Sequence, residues 1–252
     1  MPLPLVTTIS PEEGVVRIAR RSGGAFEPPS WEYVLADGTF GNRFDDPTNS
    51  TSRFRVIYCT TTSEAAFGET LARFRPSLDL LASLRAIVDE SDDDLDDLIA
   101  ASSIIPADWR MKRQIASATI ADRSHAKFVD IDATASQQVL RTYLASIAVT
   151  NHLHDIDKGA IAGQARQFTQ SCSRFIYEQH DAENNYLYAG IRYGSRLNPN
   201  WECWACFADR VTFDVGFPRT IDADDGALID VADLFHLSIE VLDGHMIRTR
   251  IR

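Results

Sequence analysis

Between Arg53 and Leu71 the chain changes its hydrophobic period, and this limits what it can fold into. In RFRVIYCT, Phe54, Val56 and Tyr58 point one way and Arg55, Ile57 and Cys59 the other, the period of two that a strand requires. A few residues later Phe67, Leu71 and Phe74 recur at i, i+4 and i+7, which is helical. Thr61 with Glu64 three residues on reads as a capping box that opens the helix, and Pro76 ends it. Glu69 lies off the apolar stripe among Ala65, Ala66 and Ala72, small residues that leave room beside an acid. Arg73, four residues further, stands at ion-pair spacing from it.

The rest of the chain extends this strand–helix pattern into an α+β reading. VVRIAR, from Val15 to Arg20, is a short strand, and the Gly-, Pro- and Asn-rich stretches around it are loops. Residues 77–120 read as helical. Their acidic run from Glu90 to Asp97 reads as a solvated face or cap, because no turn glycine interrupts it to make a divalent-metal loop. AKFVDIDA is a strand. Two helices follow, about 135–153 (stripe Val139, Leu140, Tyr143, Leu144, Ile147) and about 158–178 (stripe Ile161, Ala165, Phe168, Cys172, Phe175). Strand candidates then cluster in NYLYAGIRYGSRLNPNWECWACF, RVTFDVG, LSIEVLDG and MIRTRIR. No repeat or linker interrupts the pattern. The expectation is one domain over 1–252, a mixed/antiparallel β-sheet with flanking helices and a helical insertion at about 76–120.

Composition narrows the function. With 44% hydrophobic and 24% charged residues the chain is ordinary globular material, but its net charge of −11 repels phosphate backbones and argues against nucleic acid. No segment approaches the roughly 18 apolar residues that a membrane span needs. The N-terminal MPLPLVTTISPEEG lacks the basic and apolar regions of a signal peptide. The four cysteines, including the CxxC of Cys203 and Cys206 between Trp201, Trp204 and Phe207, read as structural thiols of a reduced, cytoplasmic protein. His152, His154 and Asp155 look metal-like, but they fall at a helix end where i, i+2 side chains diverge, so no metal is expected. His180 reads as a helix-end residue, and Tyr186, Tyr188 and Tyr193 as sheet packing.

Four polar positions remain. Arg43 sits in the glycine-flanked loop GTFGNRFDDP, where an arginine suits a phosphate or pyrophosphate. Tyr58 offers a stacking face and a hydroxyl. Glu69 can accept a ribose hydroxyl and stabilise positive charge on an anomeric carbon. Ser195 lies in GIRYGSRLNPN, just after a strand. Cleaving an N-glycosidic bond to a cationic leaving group needs little acid assistance, so one carboxylate, an anion clamp and a stacking ring suffice.

In this order, with eleven residues from Tyr58 to Glu69, the set resembles the RES-domain family, over about 17–210. The resemblance implies an ADP-ribosyltransferase-like fold and a bacterial toxin that destroys NAD by hydrolysis or phosphorolysis, held by an Xre-type antitoxin. It also implies a role for each residue. Arg43 holds an NAD phosphate, and Tyr58 stacks on or hydrogen-bonds the nicotinamide half. Glu69 stabilises the oxocarbenium-like transition state, Ser195 bonds the ribose or orients Glu69, and Arg17 of VVRIAR is a second anion contact. NAD is then a substrate rather than a cofactor, inorganic phosphate a candidate co-substrate, and a homo-oligomer is allowed. Transfer of ADP-ribose to a protein, or partner binding without catalysis, are the competing readings.

Overall fold

The computed structural model describes residues 5–87, 99, 102–241, 246 and 247. The acidic run 90–97 lies outside them. The α+β class holds: helices pack on a mixed β-sheet. By contacts the chain divides into two compact units. The first holds residues 1–17, 26–62 and 117–216, the second 18–25, 63–116 and 217–252.

The first unit carries most of the sheet. Its strands are β1 (Thr7–Ile9), β2 (Val15–Arg20, which continues into the second unit), β3 (Val56–Thr60), β5 (Arg113–Ile120, which enters from the second unit), β6 (Lys127–Asp130), β7 (Gly190–Gly194), β8 (Glu202–Phe207) and β9 (Phe213–Val215). They run in the order β1-β6-β7-β8-β3-β2-β5, with β9 also on β5. The β6–β7 pair is parallel, so a crossover must join them. Three helices supply it: Thr134–Thr150, Lys158–Ala162 and Arg166–Tyr177.

Strand alternation sets the two faces of the sheet. Tyr58 pairs with Ala205, and Ala205 with Ile191, so these share one face with Val56, Tyr193, Cys203 and Phe207. That face packs under the helices against Val139, Leu140, Leu144, Ile161, Phe168, Cys172 and Ile176. The opposite face carries Ile57, Cys59, Trp204, Cys206 and Arg192. There Trp204 meets Phe128 edge-on at 5.1 Å, and Arg192 pairs with Glu202 (2.7 Å) and Asp130 (3.3 Å). Cys203 and Cys206, three apart on a strand, therefore point to opposite faces and cannot chelate one ion together.

The second unit holds the helices Ser63–Leu71 (α1), Leu78–Ile87 (α2) and Ala107–Met111 (α3). The crossover helices are α4, α5 and α6, and Gly226–Phe235, also in the second unit, is α7. A small sheet, β12 (Met246–Ile247), β11 (Ser238–Glu240) and β4 (Ile104–Ile105), completes it, and β10 (Arg219–Thr220) pairs with the start of β5. Helix α1 packs on α7, whose first turn is capped by the Asp225 carboxylate accepting from Leu228 N at 3.2 Å.

Four expectations need correction. Residues 113–120 form a strand, not a helix. The end of RQIASATI alternates, from Ala116 to Ile120, but its neighbours' helical pattern masked the period of two. The helix expected over 158–178 is broken at Gly163, where the backbone is extended and an added Cβ would come within 2.9 Å of Gly159 O. Tyr143 is 56% exposed rather than in the core stripe. The Thr61 hydroxyl does not cap α1, which starts at Ser63. It donates to Glu202 Oε2 at 2.8 Å.

Phe168 is fully buried between α6 and the sheet. Phe168→Ala is expected to cost about 3–5 kcal/mol of stability, read as a lowered denaturation midpoint. Loss below about 1 kcal/mol would show that this core carries little of the fold.

Candidate functional site

The loop around Arg43 is fixed from two sides within the first unit. From the sheet, the Tyr58 hydroxyl accepts from Phe44 N at 2.9 Å and donates to Asp45 Oδ1 at 3.0 Å. Asp45 Oδ2 also accepts from Asn42 N at 2.7 Å, closing the turn on itself. From helix α6, Gln170 Nε2 donates to Asn42 O at 3.0 Å and the Ser173 hydroxyl to Phe44 O at 2.7 Å. Arg174 pairs with Asp46 at 2.9 Å, and Asp46 in turn accepts from Thr48 N and Phe54 N. Phe44, buried, wedges edge-on against Tyr193 at 4.8 Å.

Held this way, Arg43 projects its guanidinium 5.6 Å from the Tyr193 ring centroid, and its Nη2 donates to Ala162 O at 3.4 Å. That carbonyl ends α5, immediately before the Gly163 break, so the interruption of the helix is what makes it available. Among the described residues Arg43 has no carboxylate within ion-pair distance. A half-buried guanidinium with one long hydrogen bond and an aromatic neighbour retains donors for an anion.

The electrostatics follow from burial. Desolvation, then the nearby Asp45 and Tyr193, push the Tyr58 phenol well above its ordinary pKa, so it stays protonated and donating. Desolvation also raises the Asp45 carboxyl, against the hydrogen bonds from Asn42 and Tyr58 and the charge of Arg166, which lower it.

The other expected residues have settings of their own. Ser195 N bonds Trp201 O at 2.8 Å, extending the β7–β8 ladder by one step and placing Ser195 on the sheet face of Tyr193. Its buried hydroxyl accepts from Leu197 N at 3.0 Å. Arg17 is on the opposite face. Val16 pairs with Thr60, so Arg17 stands beside Cys59, and its Nη1 donates to Glu27 O at 2.9 Å. Desolvation lowers its pKa, with Cys59 and Cys206 acting the other way.

Glu69 belongs to the second unit, on the exposed side of α1. Its neighbours Ala65 and Ala66 are buried with Phe67 and Leu71, so these alanines serve close helix packing rather than leaving room beside the acid. The Arg73 guanidinium lies over Phe74, 5.0 Å from the ring centroid.

Sequence reasoning missed Asp45, Gln170, Ser173 and Arg174. A signal existed for the last three: on a helix whose apolar stripe is Phe168, Cys172 and Phe175, they form a second, polar stripe at i, i+3 and i+4.

The family model described as RES domain matches residues 15–138, which supports the resemblance to that family. The match takes in Arg17, Arg43, Tyr58 and Glu69 and ends before Ser195. The RES domain is associated with NAD-acting toxins. Neither a curated protein nor a solved structure matches the chain significantly.

Tyr58→Phe leaves Phe44 N without its acceptor and removes a donor from buried Asp45. A loss of about 1–3 kcal/mol is expected in chemical denaturation; an unchanged midpoint would show that the loop is held without the phenol. The Asp45 carboxyl holds its proton to higher pH when folded than the ordinary value near 4. The folded state therefore binds more protons in that window. Wild-type stability relative to Asp45→Asn is thus expected to fall as pH rises from about 4 through the folded pKa, then level off. A flat difference across that range would contradict the desolvated carboxyl.

Proposed function

We propose that this protein is an NAD-degrading enzyme that cleaves the nicotinamide–ribose bond and transfers ADP-ribose to water or phosphate. Beyond the RES-domain match, the observation that supports this most is Arg43: a guanidinium fixed by a two-sided loop clamp, beside an aromatic ring, with no carboxylate partner among the described residues.

The chemistry asks little of the protein. Nicotinamide departs with the electron pair of the C–N bond and becomes neutral, leaving positive charge on the anomeric carbon and ring oxygen of the ribose. An oxygen of water then bonds that carbon and loses a proton, giving ADP-ribose. With phosphate as the acceptor, a phosphate oxygen bonds the carbon and the product is the 1-phosphate ester. In this proposal Arg43 holds a phosphate of NAD, and the protonated Tyr58 keeps the Arg43 loop in place and offers its ring face. Glu69 supplies the carboxylate that stabilises the cationic transition state, and Ser195 bonds the ribose. Arg17 is proposed as a second anion contact, although it stands on the sheet face opposite Tyr58. A toxin of this class is expected to be held by an Xre-type antitoxin protein.

Purified protein incubated with NAD, with and without phosphate, is expected to release nicotinamide. Glu69→Gln, at an exposed position, is expected to fold normally and to lower turnover by at least about 10²-fold, the scale of losing one electrostatic stabiliser. No release from folded wild-type protein in either condition would sink the proposal. Unimpaired release by Glu69→Gln would remove Glu69 from the mechanism. Label from adenine-labelled NAD appearing on a protein would instead identify a protein acceptor.

A further inference from the structure

Three arginines gather in the second unit of a chain of net charge −11. Arg21 N bonds Lys112 O at 3.0 Å, and this register places Arg20, at the end of β2, across from Arg113, at the start of β5. Like charges directly opposite on neighbouring strands repel. Aromatic contacts bring in a third arginine. Arg113 lies 4.9 Å from the Trp109 ring centroid, Trp109 meets Phe74 edge-on at 5.7 Å, and Phe74 carries Arg73 at 5.0 Å. Desolvation lowers the Arg113 pKa, Arg73 and Arg20 add to this as neighbouring like charges, and Asp108 acts the other way.

Three further observations bear on acceptors around Trp109 and Arg113. Trp109 is only 5% exposed, yet its indole N–H has no hydrogen-bond partner among the described residues. The acid nearest in sequence to Arg113 at this place, Asp108, is engaged by Lys112 at 2.6 Å. The Arg113 guanidinium spends one N–H on Trp109 O at 3.2 Å, and a guanidinium has five to give.

We propose that Arg20, Arg73 and Arg113, backed by Trp109, form an anion site for a phosphoryl group. Three guanidinium forks match the several oxygens and the double charge of phosphate, and relieve their own repulsion by binding it. A carboxylate offers only one plane of oxygens and a single charge. The phosphoryl group is either free inorganic phosphate or the phosphate end of a nucleotide. The site is independent of the NAD reading, because it is defined wholly within the second unit and its test does not use turnover.

The test is calorimetric titration of the full-length protein with inorganic phosphate and, separately, with ADP, in buffer whose ionic strength is matched with chloride. Wild-type protein is expected to bind at least one of them saturably. The exposed double variant Arg20→Gln/Arg73→Gln is expected to bind at least about tenfold more weakly, the loss of a single charge-assisted contact being already of that order, with an unchanged thermal transition. Saturable binding of phosphate identifies the free anion as the source, and binding of ADP alone identifies a nucleotide. No saturable binding of either, or affinity unchanged in the double variant, would overturn the site, whatever the outcome of the nicotinamide assay. Arg113→Lys, which keeps the charge but not the fork, is expected to weaken binding too; full affinity in that variant would show that charge alone, without a built site, attracts the anion.

Discussion

The Tyr58 hydroxyl is the contact on which the arrangement around Arg43 depends. It is acceptor and donor at once, taking the Phe44 N–H and giving its proton to Asp45. A loop rich in glycine and asparagine has many conformations to lose on ordering. Here a strand residue, a buried carboxylate and three side chains of one helix offset that loss together. Because the phenol is desolvated and holds its proton, the lock persists across the physiological pH range. Tyr58 thereby acquires a role that a list of polar residues does not suggest: its hydroxyl is committed to the backbone and carboxylate of the loop that carries the arginine.

Much of this architecture could be read from the chain. Strands β2, β3, β6, β7 and β8 and the facing of Tyr58 against Cys59 follow from alternation, since a half-buried strand writes its period directly into the sequence. The break at Gly163 could not be read, because the apolar stripe continues through it in phase. The extended backbone at Gly163 becomes visible only in the structure, as does the use of Ala162 O by Arg43. Strand β5 failed for a related reason: its N-terminal half follows a short helix, and the alternation emerges only over residues 116–120.

The candidate site was legible by residue type and order but not by connection. Arg43 and Tyr58 were evident as polar residues at strategic places, and Asp45 stood in the same quoted loop, yet nothing in the sequence said that Asp45 would be buried against Tyr58. The alanines before Glu69 show the opposite failure. Small residues near an acid suggested open space, whereas α1 uses Ala65 and Ala66 for close packing. Small side chains signal proximity, and sequence alone does not say whether the neighbour is a ligand or another helix.

The disposition of the cysteines has a consequence of its own. All four are buried, one on helix α6 and three on β3 and β8, divided between the two faces of the sheet. Burial raises the Cys59 and Cys172 thiols far above their ordinary pKa, so neither is a nucleophile while the fold is closed. Alkylating reagents would reach these sulfurs only when a strand or helix separates from its neighbours. The rate at which each is labelled would then report how often that part of the protein opens, with Cys172 recording the crossover helices and Cys59 the centre of the sheet.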